Sequence, residues 1–230
     1  VARPNLFIKI PGNAAGLVAI EESIFAGIPV NVTLLFSCDQ FLAAAAAWQR
    51  GLERRVAAGL KPDVASVASL FVSRWDAAVN GRVSGAFRNR LGIAMAMRTY
   101  AAWRETLTLP RWQRLARAGA RPQRLLWAST GTKDPTAADA LYVEALAAPG
   151  TVTTLPTPTL LAFIDHGRPD RVLPVDGGYA EATLSEFTRE GIDLERLAAG
   201  LQRDGAAKFT GAWRDMLHRL DAKAAHSLAS

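Results

Sequence analysis

One cysteine, three histidines and five lysines in 230 residues set the first limits on this chain. The single thiol, Cys38, excludes an internal disulfide and favours a reducing compartment, so the cytoplasm is the expected location. The histidines, His166, His218 and His226, are isolated and show no metal-ligand spacing. No apolar run approaches the ~20 residues of a membrane span, so no membrane partner is expected. The opening Val1-Ala2-Arg3-Pro4 has no signal-peptide pattern and no initiator methionine. No Gly-x-Gly-x-x-Gly follows a predicted strand, and no Gly-x-x-x-x-Gly-Lys-Ser/Thr occurs, so dinucleotide and P-loop chemistry lack their motifs. No fixed-period repeat is present, and only Ala43–Ala47 is of low complexity.

Lysine is scarce but arginine is not: Lys9, Lys61, Lys133, Lys208 and Lys223 stand against 22 arginines. Lys9 lies in the apolar run Asn5-Leu6-Phe7-Ile8-Lys9-Ile10-Pro11, bounded by Pro4 and Pro11, which reads as a buried strand. An ammonium there is costly to bury unless it is paired or neutral. Two readings follow. The side chain snorkels from a strand end to solvent, or a desolvated amine is wanted as a nucleophile toward a carbonyl.

The net charge of +6 raises the question of nucleic acid. The arginines are spread along predicted helices without interleaved aromatics. The densest group, Arg50, Arg54 and Arg55, reads as one solvated helical face, so no nucleic-acid partner is expected. Glu21 and Glu22 read as acids early in a helix, where the macrodipole favours them.

Strands and helices alternate along the chain. Strands are predicted at 5–11, 29–36, 66–72, 124–129 and 151–155. Helices are predicted at 14–25, from 37 or 39 to 58, and at 75–83, 87–105, 110–118, 139–147, 160–166, 180–190, 194–204 and 206–225. This order gives βαβ units and a parallel sheet, either doubly wound or a (β/α)8 barrel. In a barrel, polar groups near the strand C-termini converge on one mouth. Such groups recur here: Lys9 on the first strand, Asn31 and Thr33 on the second, Ser69 beside Phe71 on the third, and Ser129 on the fourth. The period of two puts Phe7 and Lys9 on one face. On the second strand it puts Asn31, Thr33 and Leu35 on one face and Val30, Val32 and Leu34 on the other. One buried polar residue is ordinarily structural, whereas several on separate strands, with a lysine, point to a site.

Four segments in order carry a family resemblance. They are Asn-Leu-Phe-Ile-Lys-Ile-Pro at 5–11, Asn-Val-Thr-Leu-Leu-Phe-Ser at 31–37, Ser-Val-Ala-Ser-Leu-Phe-Val-Ser-Arg at 66–74 and Leu-Leu-Trp-Ala-Ser-Thr-Gly-Thr-Lys-Asp-Pro at 125–135. Together they resemble transaldolase, in particular its longer bacterial branch. Asp165-His166-Gly167 and the last helix around Trp213 fit as well.

The resemblance implies a single domain over 1–230 of (β/α)8 TIM-barrel type, without metal or organic cofactor. Its substrates would be sugar phosphates, between which a dihydroxyacetone unit passes. Assembly of several copies is left open. Lys9 would be the Schiff-base lysine, and Thr33 would help hold a catalytic water. Asn31 and Ser69 would bond the bound three-carbon unit, with Phe71 as an aromatic wall. Arg74 would grip the phosphate, and Ser129 and Lys133 would contact it. Three departures are visible. Gly131 stands where many members carry a second arginine. Gly12-Asn13 replaces a common Ser/Thr pair. The lysine strand, fourth in the family's barrel, is the first here. The chain therefore reads as N-terminally incomplete, with about five of eight strands plus additional C-terminal helices. The family's acid/base glutamate has no counterpart in it, and little activity is expected of it alone. The alternatives are a class I aldolase of the same superfamily, or an inactive fragment.

Overall fold

The structure, a computed structural model, describes residues 3, 5–168 and 172–228. Among them, five strands form one all-parallel sheet in chain order: β1 (Ile8–Pro11), β2 (Val30–Leu35), β3 (Ser66–Phe71), β4 (Arg124–Ala128) and β5 (Thr151–Thr153). Each strand pairs with its predecessor, which is the topology of a barrel wall rather than of a doubly wound sheet. The sheet does not close, and β1 and β5 are its edges.

Helices make the crossovers. α1 (Ala14–Phe25) joins β1 to β2, and α2 (Cys38–Ala57) joins β2 to β3. α3 (Ser73–Val79), a short 3-10 turn (Gly85–Phe87), α4 (Leu91–Thr106) and α5 (Pro110–Arg117) lie between β3 and β4. α6 (Leu141–Ala145) precedes β5. α7 (Thr157–His166), α8 (Ala180–Arg189) and α9 (Leu194–Leu228) follow it. Among the described residues, no helix is long and apolar enough to cross a membrane.

Local chemistry sets these boundaries. Asn13 accepts a hydrogen bond from Gly16 N at the start of α1. Of the two caps the sequence offered for α2, Ser37 is used. Its Oγ accepts from Gln40 N, and Gln40 Oε1 reaches back to the amides of Phe36 and Ser37, a reciprocal capping box. α7 starts at Thr157, three residues before expectation, because Pro158 falls in the first turn, where a missing N–H costs nothing.

Two apolar clusters cover the sheet. Val30, Val32, Leu35, Ala68, Leu70, Leu125 and Trp127 face the helices, meeting Ile20 and Ile24 of α1, Phe41 and Trp48 of α2 and Tyr100 of α4. The inner face carries Val67, Phe71, Leu126 and Ala128. The same cluster takes in Trp75 of α3 and Leu184 and Phe187 of α8.

Four expectations are corrected. Leu34 and Leu35 exchange faces: the register slips between Val32 and Leu35, and Leu34 takes φ +59. The extra residue of this bulge sends Leu35 to the helix side and Leu34 to the inner side. The first strand is not buried and begins at Ile8, because β2 starts at Val30 and offers Asn5–Phe7 no partner. Ile8 and Lys9 on this edge strand are exposed. The two helices expected after Leu194 are one, since Gly205 interrupts nothing. Lastly, Glu21 and Glu22 lie past the middle of α1 and bond the arginines of α2: Arg50 Nε to Glu21 at 2.6 Å and Arg54 Nη1 to Glu22 at 2.5 Å. The arginine face expected to be solvated is thus half of a helix–helix ion-pair row.

Candidate active site

The parallel register brings the polar strand residues into one row. Lys9 pairs with Asn31 across β1 and β2. The Asn31 Oδ1 accepts a hydrogen bond of 2.7 Å from Ser69 Oγ on β3. Three residues far apart in sequence thus lie side by side on three strands. Asn31 is half-buried and Ser69 buried, so the amide oxygen is held by a defined donor.

Thr33 lies two residues beyond Asn31, level with Pro11 of β1. It is buried, and its Oγ1 has no hydrogen-bond partner among the described residues. A buried hydroxyl left unbonded costs roughly 1–3 kcal/mol. Its backbone carbonyl is engaged, accepting from Gly12 N at 2.8 Å.

Phe71 and Arg74 form the next group. The guanidinium carbon of Arg74 stands 4.8 Å from the centre of the Phe71 ring, and that ring packs against Phe36 at 5.4 Å. The aromatic face orients a planar cation while leaving its outer N–H groups free. α3 begins at Ser73, two residues before expectation, so Arg74 sits in the first helical turn rather than on a loop. Trp75 fixes this turn by donating from Nε1 to Phe36 O at 2.9 Å.

Ser129 follows β4 at φ +56, a left-handed conformation uncommon for a side-chain-bearing residue. Its Oγ lies 2.9 Å from Ser73 Oγ, and its carbonyl accepts from Ser73 N at 3.0 Å. Ser129 therefore joins the third βα connection to the fourth. Lys133 differs from the others. It is exposed in the loop after β4, and among the described residues no hydrogen bond or ion pair ties it to the row. A Cβ added at Gly131 would meet Pro156 Cγ at 3.1 Å, so the base of this loop is packed against the start of α7.

Several residues that no motif marked hold this arrangement. The carboxylate of Asp76, buried in α3, accepts from the amides of Leu91 and Gly92 and from the hydroxyl of Tyr142. Burial pushes its pKa up to about 6 in spite of these three donors. The signal was an acid inside the apolar stretch Trp75–Val79. Gln202 and Gly205 of α9 reach the ends of β1 and β2, and nothing in their surrounding sequence distinguished them. His166, the last residue of α7, is held on the surface between Asp139 and Asp165, which raise its pKa. His218 also lies on the surface, on α9. Cys38 is half-buried, and burial raises its pKa to about 11, which suits a packing role.

Comparison with known proteins gives one answer. The family described as transaldolase/fructose-6-phosphate aldolase matches residues 1–220. A transaldolase of Parafrankia sp. (strain EAN1pec) is 47% identical over 226 residues, covering 94% of this chain and 61% of that protein. Those of Acidothermus cellulolyticus and Neisseria gonorrhoeae are 44% and 43% identical, again over 94% of this chain and over 60% and 62% of their own lengths. The chain thus spans about 60% of the length of these curated relatives.

Proposed function

The chain belongs to the transaldolase/fructose-6-phosphate aldolase family, and from this we propose that it carries the Schiff-base and phosphate-binding side of a transaldolase site. The reaction moves a dihydroxyacetone unit between sugar phosphates: sedoheptulose 7-phosphate and glyceraldehyde 3-phosphate give erythrose 4-phosphate and fructose 6-phosphate. The row Lys9–Asn31–Ser69, with the unbonded Thr33 hydroxyl beside it, is the observation that carries this reading.

In this proposal the neutral Lys9 amine adds to the C2 carbonyl of the ketose, and loss of water leaves an iminium. The iminium draws the electrons of the C3–C4 bond as that bond breaks. The C4 hydroxyl gives up its proton, an aldose phosphate departs, and an enamine remains on Lys9. Thr33 holds the water that carries the proton. Asn31 and Ser69 bond the hydroxyls of the three-carbon unit, and Phe71 walls one side. The enamine then attacks the aldehyde carbon of the second aldose, and hydrolysis of the new iminium frees the product and Lys9. Arg74 grips the distant phosphate with a forked donor set, a binding geometry that a lysine cannot copy. Ser129 and Lys133 complete the phosphate contacts, Lys133 by movement of its exposed loop.

The name these relatives carry, transaldolase, favours transfer over release of free dihydroxyacetone. Incubation with fructose 6-phosphate and borohydride, followed by peptide mass spectrometry, tests the core of this reading. A reduced three-carbon or hexose adduct on Lys9 is expected. An adduct on another lysine, or none, overturns it.

A further inference from the structure

α9 crosses the C-terminal ends of β1 and β2 and is fastened there by one side chain. Gln202 Nε2 donates to Gly12 O at 3.2 Å and to Leu34 O at 3.0 Å. Gly12 is three residues after Lys9, and Leu34 directly follows Thr33. Both hydrogens of one uncharged amide are thus spent on carbonyls at the ends of the two strands that carry Lys9 and Thr33.

One turn further along the helix, Gly205 is buried. A Cβ there would lie 2.7 Å from Leu34 Cδ2 and 3.5 Å from Arg74 Nη1. With a Cβ at this position the buried end of the Leu34 side chain would have to turn aside for the helix to come this close to the bulge of β2. Leu34 is itself held at φ +59, a costly conformation for its side chain, and this sets the direction of the carbonyl that Gln202 takes. The link closes through Gly12, whose N–H donates to Thr33 O.

β1 has few other fasteners. It is an edge strand, paired on one side only, and its first two residues are exposed. Its C-terminal end, which sets the reach of Lys9, therefore depends on β2 and on α9.

We propose that Gln202, seated by Gly205, is a positioning residue that holds the ends of β1 and β2 in the register placing Lys9 against Asn31 and Pro11 against Thr33. This rests on the reading of Lys9 as the Schiff-base amine.

The test uses three variants of the chain. Gln202→Met keeps length and bulk without a donor. Gln202→Lys restores donors to the two carbonyls. Gly205→Ala crowds the contact of α9 with Leu34 by a different route. Each is trapped with borohydride over a range of fructose 6-phosphate concentrations, and the adduct on Lys9 is quantified. The maximal trapping rate of Gln202→Met falls about tenfold, the cost of a sub-ångström misplacement of a reacting group. The half-saturating concentration, set by the phosphate grip, stays within about twofold. Gln202→Lys recovers most of the rate, and amide exchange at Gly12 rises and falls in step. A loss of folding alone would move rate and melting point together without this split. Should Gln202→Met fail to fold, the maximal trapping rate of Gly205→Ala is the readout, because its new Cβ also meets Arg74 and so moves the half-saturating concentration; a fall in that maximal rate at an unchanged melting point supports the proposal, and an unchanged rate overturns it. If the unaltered chain labels at Lys9 and Gln202→Met labels as fast, this inference falls while the Schiff-base reading stands. If the unaltered chain never labels at Lys9, both fall.

Discussion

The Tyr142 hydroxyl donates to the Asp76 carboxylate at 2.8 Å, joining α3, behind the third strand, to α6, beyond the fourth. The same carboxylate accepts from two amides at the start of α4. α3 begins with Ser73 and Arg74, so this buried junction helps fix Arg74 over Phe71. α4 can come so near because Gly92 has no side chain: a Cβ there would lie 2.5 Å from Val72 O and 2.8 Å from Asp76 Oδ2.

The junction makes stability depend on pH. Burial raises the Asp76 pKa to about 6, above the ordinary 3.8, so the folded state holds its proton longer than the unfolded chain does. Stability from this group is then full below about pH 4 and is lost as pH rises through 6, by roughly 3 kcal/mol in all. Asp76→Asn is expected to flatten this slope between pH 4 and 7 in urea unfolding. Asp76→Ala leaves two amides and a hydroxyl unbonded and should cost about 3 kcal/mol or more. An unchanged slope in Asp76→Asn would assign the titration elsewhere.

Lys9→Arg should abolish the borohydride adduct while leaving the melting temperature within about 2 °C, because the residue is exposed on an edge strand. A guanidinium keeps the charge but is no nucleophile at neutral pH. Mass spectrometry of the treated variant decides the matter, and labelling that persists would place the amine on another lysine.

Thr33→Val is expected to separate stability from chemistry. The hydroxyl is buried without a partner among the described residues, so replacing it with a methyl group of similar shape should stabilise the fold by about 1 kcal/mol or leave it unchanged. Proton transfer after Schiff-base formation should slow about a hundredfold, seen as an adduct that traps normally but releases no aldose. A clear loss of stability would mean that the hydroxyl has a structural partner.

Arg74→Lys tests the phosphate grip. The half-saturating concentration of fructose 6-phosphate in trapping should rise about tenfold, since the stacked fork becomes a point charge. Trapping by unphosphorylated dihydroxyacetone should be unchanged. Equal losses with both compounds would make Arg74 a structural residue.

The strand residues of the site are legible in the chain's own pattern because a parallel register preserves order. Lys9, Asn31, Thr33, Ser69 and Ser129 lie on four successive predicted strands, and parallel pairing in chain order sets those strands side by side. Leu34 shows where that reasoning stops. Alternation by two assumes an unbroken ladder, and a left-handed residue inside β2 moves every later side chain to the other face. Lys133 shows a second limit, since its segment has no regular hydrogen bonding to carry a register outward from β4.

The sequence by itself determined the alternation of strands and helices, the cap that starts α1, and the row of polar residues on successive strands. Those depend on neighbours within a few positions, whose geometry is local. Only the tertiary structure decided what holds the row: Gln202 reaching back to Gly12 and Leu34, Gly205 seated under Leu34, and Asp76 bonded to Tyr142. These contacts join residues 66 to 190 positions apart, or rest on a gap the width of one methyl group. Whether two such groups meet is fixed by the packing of whole elements, to which no local pattern is sensitive.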